Sequence, residues 1–225
     1  MKRATVLEQL KTPDGSTLAL VELDGAYMLR VNGRELMSTR HSFSEEQLGV
    51  VACKELAHVA GACVLIGGLG LGFTLRAALA TLARDARVLV AELIPEVVAW
   101  NRNPTYALAA SALADARTKV MIGDVADIMV QSRTSFDAIM LDADNQTTSM
   151  NTAGNSSLYQ PTGIDKVWRK LNPGGTVVYW SAGEDPLLAK RLSTGGFDVE
   201  VHRVRKHPTA GGHHVLIVGH RTRKA

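Results

Sequence analysis

Three carboxylates and one run of glycines carry most of the chemistry that this chain of 225 residues offers. The run is Gly67-Gly68-Leu69-Gly70-Leu71-Gly72, set between an apolar stretch and a helical pattern that starts near Phe73. Glycines at such a turn let the backbone approach a ligand closely, and the exposed amides of the helix start favour electron-rich groups. Glu92 closes the next apolar run, with Leu93 beside it, where a carboxylate accepts both hydroxyls of a ribose. The third run ends in Ile122-Gly123-Asp124, whose carboxylate suits an adenine amino group, with Val125 and Ala126 beneath the ring. Asp142 ends the fourth run, where it can orient an attacking amine or take its proton.

The glycine spacing narrows the ligand. A pyrophosphate fingerprint needs glycines at relative positions one, three and six, but counting from Gly68 the sixth position is Phe73. The alternation Gly68, Gly70, Gly72 suits a nucleoside cofactor without a diphosphate. Further along, Asp144 to Ser157 is rich in Asn, Thr, Ser and Gly and reads as a cover over the site. Tyr159 follows it, placed to bond Asp142, to line an acceptor pocket or simply to pack. Trp180, at the end of the fifth run, reads either as an aromatic wall for an apolar or cationic acceptor or as core filling. His41, just before the first helix, and Asp144 complete the acceptor candidates. His213 and His214 are neighbours in sequence and so face opposite sides of a strand, where they cannot share a metal.

The elements that must position these groups are legible in the period of the apolar residues. Residues 4 to 38 hold short β-rich runs, Thr17 to Leu23 and Ala26 to Val31 among them, broken by Pro13-Asp14-Gly15, Asp24-Gly25 and Asn32-Gly33. This predicts a small antiparallel meander. Ser42 or Ser44 then starts a helix with Glu45 and Glu46 in its first turn, whose apolar spacing runs on to Gly61. Beyond it, uninterrupted apolar runs alternate with helical patterns at Thr74 to Ala83, Pro95 to Asn101, Val125 to Val130 and Gly163 to Leu171. That pattern describes a parallel sheet covered on both faces. The last two runs, Asp198 to Val204 and His214 to Val218, are too close for a crossover helix and predict an antiparallel hairpin. The expected fold is therefore α/β: a Rossmann-like doubly wound sheet over residues 42–225, preceded by a β extension over residues 1–41.

Bulk properties exclude several classes. Hydrophobic residues at 46% and charged residues at 21% argue for a globular chain rather than a disordered one. The apolar stretch Ala60 to Leu71 is too short to span a bilayer, and the start Met1-Lys2-Arg3 is not followed by a secretory core, so a cytoplasmic protein without a membrane partner is expected. The net charge of +3 is concentrated near the end, but no aromatics are interleaved with those cations, so nucleic acid is not an expected partner. Cys53 and Cys63 sit in apolar runs and read as buried thiols. An open edge on the β extension suggests a homodimer.

Across about Leu29 to Gly175 the sequence resembles the spermidine synthase family of aminopropyltransferases and their methyltransferase-like relatives, within the class I S-adenosylmethionine-dependent superfamily. The residues that carry this are Leu29-Arg30-Val31-Asn32-Gly33, Leu36-Met37-Ser38-Thr39-Arg40, Val64 to Gly72 and Ala91-Glu92-Leu93-Ile94-Pro95-Glu96. Gly123-Asp124, Phe136 to Asp142, Ser157-Leu158-Tyr159 and Leu171-Asn172-Pro173-Gly174-Gly175 continue it. The resemblance implies an adenosyl sulfonium donor, with Glu92 on the ribose, Asp124 on adenine and Asp142 near the attacking amine.

Departures from the family pattern matter as much. Spermidine-forming members have an acid within the glycine loop, where this chain has Gly70 and Leu71, and a second Asp where it has Asn145. The Tyr-His pair of the family's first helix is replaced around Ser44 to Glu46. Burying a polyamine's ammonium groups without paired carboxylates is expensive. The favoured reading is methyl transfer from S-adenosylmethionine to a small-molecule acceptor. The alternatives are aminopropyl transfer from decarboxylated S-adenosylmethionine and a non-catalytic nucleoside-binding protein. Leu141-Asp142-Ala143-Asp144 also resembles metal-dependent catechol-type O-methyltransferases, but Tyr179-Trp180-Ser181 stands where their further Asp-Asn ligands would be, so no metal is expected.

Overall fold

The computed structural model describes residues 4–142, 157–207 and 211–222. Asp144 and the cover expected from the loop after it lie outside these residues.

The chain opens with an antiparallel meander, β1 (Thr5–Lys11), β2 (Thr17–Leu23), β3 (Ala26–Val31) and β4 (Arg34–Ser38), paired in chain order. Two-residue hairpins join β2 to β3 and β3 to β4. Both residues of each hairpin have positive φ, Asp24 and Gly25 in one, Asn32 and Gly33 in the other. This backbone twist matches that of the flanking strands, which explains the Asp-Gly and Asn-Gly pairs. Side chains alternate between faces. Leu18, Leu20, Leu29 and Val31 pack into the main core, while Ala19, Val21 and Met28 form a small cluster on the other face. The meander is thereby fastened over the larger sheet.

That sheet contains β5 (Cys63–Gly67), β6 (Arg87–Glu92), β7 (Thr118–Ile122), β8 (Phe136–Leu141), β9 (Leu171–Ser181), β10 (Phe197–Arg205) and β11 (His213–Arg221). Its order is β10-β11-β9-β8-β5-β6-β7. Strands β5 to β9 are parallel, and β11 runs antiparallel between β9 and β10. Both faces are buried. Val64, Ile66, Val88, Val90, Met140 and Val178 join one core, and Leu65, Ile139, Leu141, Val177 and Tyr179 the other. This two-sided burial is why the central strands read as continuous apolar runs rather than alternating ones.

The helices are α1 (Phe43–Cys53), α2 (Phe73–Thr81), α3 (Pro95–Arg102), α4 (Ala110–Leu113), α5 (Val125–Gln131), α6 (Pro161–Lys170) and α7 (Pro186–Thr194). Residues of α1, α2 and α3 enter the first core; those of α5, α6 and α7 enter the second. No helix among the described residues is long and apolar enough to cross a membrane.

The predicted architecture is the observed one, with local differences. The first helix stops at Cys53 and tightens into a 3-10 turn over Lys54–Leu56 instead of running to Gly61. Val59 is exposed, so the spacing that suggested continuation carries no buried stripe. Neither α4 nor α7 was expected. Helix α7 buries only Leu188 and Leu192, too narrow a stripe to stand out. Its capping is clear: Asp185 accepts the Leu188 amide hydrogen and Pro186 starts the helix. Strand β9 begins at Leu171, five residues before the expected Thr176, because Asn172 to Gly175 form a bulge between the Phe136–Leu171 and Ala138–Thr176 pairs. Asp137 holds the bulge, accepting from Asn172 Nδ2 at 2.7 Å and from the Cys63 amide at 2.8 Å.

Candidate functional site

Strand order reverses at β5, since β6 and β7 lie to one side of it and β8 and β9 to the other. In an open α/β sheet such a switch point opens a crevice at the carboxyl ends of the strands. A cavity of about 840 Å³ occupies it, within the range of small-molecule sites. Gly123 after β7, Glu92 of β6, Gly67 of β5, Asp142 after β8, Trp180 of β9 and His214 of β11 line it in succession. Leu36, Met37 and Ser38 of β4 reach it from the meander, so the N-terminal sheet forms part of the wall.

The glycines of the loop serve different ends. A Cβ at Gly67 would stand 2.9 Å from both Leu141 Cδ2 and Val125 Cγ2, so this glycine lets β5 pass between two apolar side chains. Gly70 has φ +52, and a Cβ there would meet Met37 Sδ at 2.6 Å. Met37 lies over the loop at this point and its sulfur accepts the Leu71 amide hydrogen at 3.1 Å. Gly72 is left-handed at φ +76, caps α2, and faces Ala109, whose Cβ would be 2.3 Å away. Gly67, Gly68 and Gly70 line the cavity; Gly72 does not. Gly72 is a packing glycine. The alternating pattern therefore combines cavity-lining glycines with a packing glycine, which spacing alone does not separate.

Glu92 is only 7% exposed. Its Oε2 accepts the Leu69 amide hydrogen at 2.8 Å and its Oε1 that of Ile94 at 2.9 Å. Burial pushes its carboxyl up from the ordinary range, and these amide hydrogens oppose the shift by stabilising the charged form. The pair of bonds ties the glycine loop to the β6–α3 turn and fixes the carboxylate's orientation. Asn101, from α3, supports the same loop, with its Nδ2 donating to Gly70 O at 2.8 Å and to Val97 O at 2.9 Å.

Asp124 caps α5, accepting the Ala126 amide hydrogen at 2.8 Å; Gly123 and Val125 on either side line the cavity, and Asp124 itself does not. Leu93, Asp142, His41 and Trp180 line it. Tyr159 is not among the lining residues. Its ring meets Tyr179 edge-on at 5.2 Å and its carbonyl accepts from Arg191. Tyr179 and Trp180 are consecutive in β9 and face opposite sides, so Tyr159 packs on the side away from Trp180. The direct contact open to Tyr159 is therefore not what the structure shows. Among the described residues no three His, Cys, Asp or Glu side chains are grouped to hold a metal ion.

Several residues of the site escaped the sequence reading. Asn101 had a faint signal, a polar side chain in line with Val97 on the buried side of α3. Met37 had only its place in the segment Leu36 to Arg40 that carries the resemblance. Glu45 had looked like an ordinary first-turn acid, yet it is 6% exposed and lines the cavity. His214 lines it as well, its Nδ1 2.9 Å from Ser44 Oγ.

No family model matches the chain, and no curated protein matches it by sequence. Solved structures do match. A spermidine synthase crystallised with the transition-state analogue AdoDATO superposes with a TM-score of 0.74 at 18% identity, over 97% of this chain and 73% of that one. Spermidine synthase from Thermotoga maritima superposes with a TM-score of 0.76 at 19% identity, over 97% of this chain and 74% of that one. The chain has the fold of these spermidine synthases.

Proposed function

We propose that the protein is a transferase that uses an S-adenosylmethionine-type donor and transfers its methyl group to a small-molecule acceptor. The observation that carries this reading is Glu92. A carboxylate held at the carboxyl end of β6 by two backbone amides, beside a glycine loop that leaves the cavity open, has the form of a ribose-hydroxyl acceptor. Gly123 and Val125 offer the neighbouring surface for an adenine ring. When bound, the donor supplies a sulfonium-activated carbon for nucleophilic attack. The chain's own residues then chiefly align the nucleophile and exclude water. Asp142, lining the cavity one strand beyond the glycine loop, orients the acceptor and receives its proton.

Aminopropyl transfer is the second reading, favoured by the likeness to spermidine synthases, one of them in complex with AdoDATO. Against it stands the loop position taken by Gly70, where Met37 occupies the space a loop acid would need. Calorimetry with S-adenosylhomocysteine tests the common core: micromolar binding is expected, and affinity unchanged in Glu92→Ala would overturn it. Thermal shifts with S-adenosylmethionine and its decarboxylated form separate the readings. A larger shift with the decarboxylated donor would replace methyl transfer by aminopropyl transfer.

A further inference from the structure

Glu45 is a second buried carboxylate on the cavity wall. It stands on α1, and its carbonyl accepts from Thr74 Oγ1 at 3.1 Å, which seats it over the first turn of α2. No Lys, Arg or His among the described residues lies within ion-pair distance of it. Its side chain is held instead by the neutral hydroxyl of Ser44. Ser44 has a single hydroxyl hydrogen and gives it to Glu45, so the contact to His214 Nδ1 uses Ser44 as acceptor and His214 as donor. The His214 ring in turn meets Trp180 edge-on at 4.5 Å. The Trp180 indole Nε1 is buried and finds no acceptor among the described residues.

An unpaired carboxylate is costly to bury, and burial does push the Glu45 carboxyl up. A wall group in this condition gains most from a ligand that brings a positive charge. An aromatic neighbour adds to the attraction. Strand order places the cluster at the end of the cavity opposite Gly123 and Glu92, since Trp180 and His214 belong to β9 and β11.

We propose that Glu45, Ser44, His214 and Trp180 form a cation subsite, in which Glu45 takes the ammonium group of the acceptor. The assignment of this end to the acceptor rests on the donor reading above. It makes Glu45 a specificity-determining residue, supplying from α1 a carboxylate that the glycine loop lacks.

The test is calorimetric, on the full chain, with n-butylamine and its neutral counterpart n-butanol as probes. Each is titrated with and without saturating S-adenosylhomocysteine. The amine is expected to bind at least tenfold more tightly than the alcohol. Glu45→Gln is expected to remove that preference while changing S-adenosylhomocysteine affinity less than twofold, and Glu45→Asp to restore part of it. Equal binding of the two probes to the wild-type protein, or an amine preference that survives in Glu45→Gln, would overturn the subsite. Failure of S-adenosylhomocysteine to bind the wild type sinks the donor reading instead, and the titrations without it still judge Glu45.

Discussion

Replacing Gly70 by alanine tests how the glycine loop and the meander are joined. The residue sits at φ +52, where an L side chain costs about 1–2 kcal/mol. The new methyl would also lie 2.6 Å from Met37 Sδ and 2.8 Å from its Cε. Met37 Sδ is seated by the Leu71 amide hydrogen, so displacing this flexible end adds about 1–3 kcal/mol. The single variant should therefore lose about 2–5 kcal/mol of stability. In a Met37→Ala background only the backbone strain remains, about 1–2 kcal/mol. The bond from the Leu71 amide to the Met37 sulfur is already absent in both Met37→Ala proteins, so its disturbance by the new methyl enters the coupling. Urea denaturation of the four proteins should thus give a coupling energy of about 1–3 kcal/mol. A coupling below about 0.5 kcal/mol would show that Met37 does not rest on the loop, and would remove the explanation offered for the absent loop acid.

Three further outcomes follow from the same geometry. Asn101→Leu deprives the Gly70 carbonyl of its donor, which costs about 1–3 kcal/mol, or about 2–12 °C in melting temperature, and weakens S-adenosylhomocysteine binding; an unchanged melt and unchanged affinity would contradict the supporting role. Bonds from Arg117 hold Asp115 at about 2, below its ordinary 3.8, so this pair's contribution is complete above the unfolded value and is lost as pH falls toward 2. Acid titrations should show that this loss is absent in Arg117→Met, and superimposable profiles would refute it. Burial pushes the Cys53 thiol up to about 12 and also raises Cys63, so an Ellman assay at pH 8 should label neither until denaturant is added; rapid labelling of the native protein would place a thiol at the surface.

Much of the candidate site was legible because a parallel sheet puts its functional groups at strand ends. Once the apolar runs are recognised, their last residues fall on one edge, and Glu92 and Asp142 follow from position alone. Residues contributed by other elements were harder. Glu45 is five residues beyond a turn at the end of the meander, with nothing local to separate it from Glu46. Only the packing of α1 against α2, where Thr74 bonds its carbonyl, turns Glu45 inward. Tyr159 shows the opposite difficulty, since its sequence left contact with the site and plain packing undivided. Its nearness in sequence to the loop after Asp142 suggested contact with the site, but the alternation of β9 puts its partner Tyr179 on the other face.

The amino-acid sequence by itself determined the α/β order, the primed hairpins of the meander and the glycine turn into α2. These depend on hydrophobic period and on backbone conformations accessible to few residues, both of which are local. Tertiary structure alone decided which glycine faces the cavity and which faces Ala109, and that Met37 covers Gly70. It also decided that a first-turn glutamate, a serine and a C-terminal histidine share one wall of the cavity. Those arrangements arise where distant segments pack, and their spacing along the chain carries no period from which they could be read.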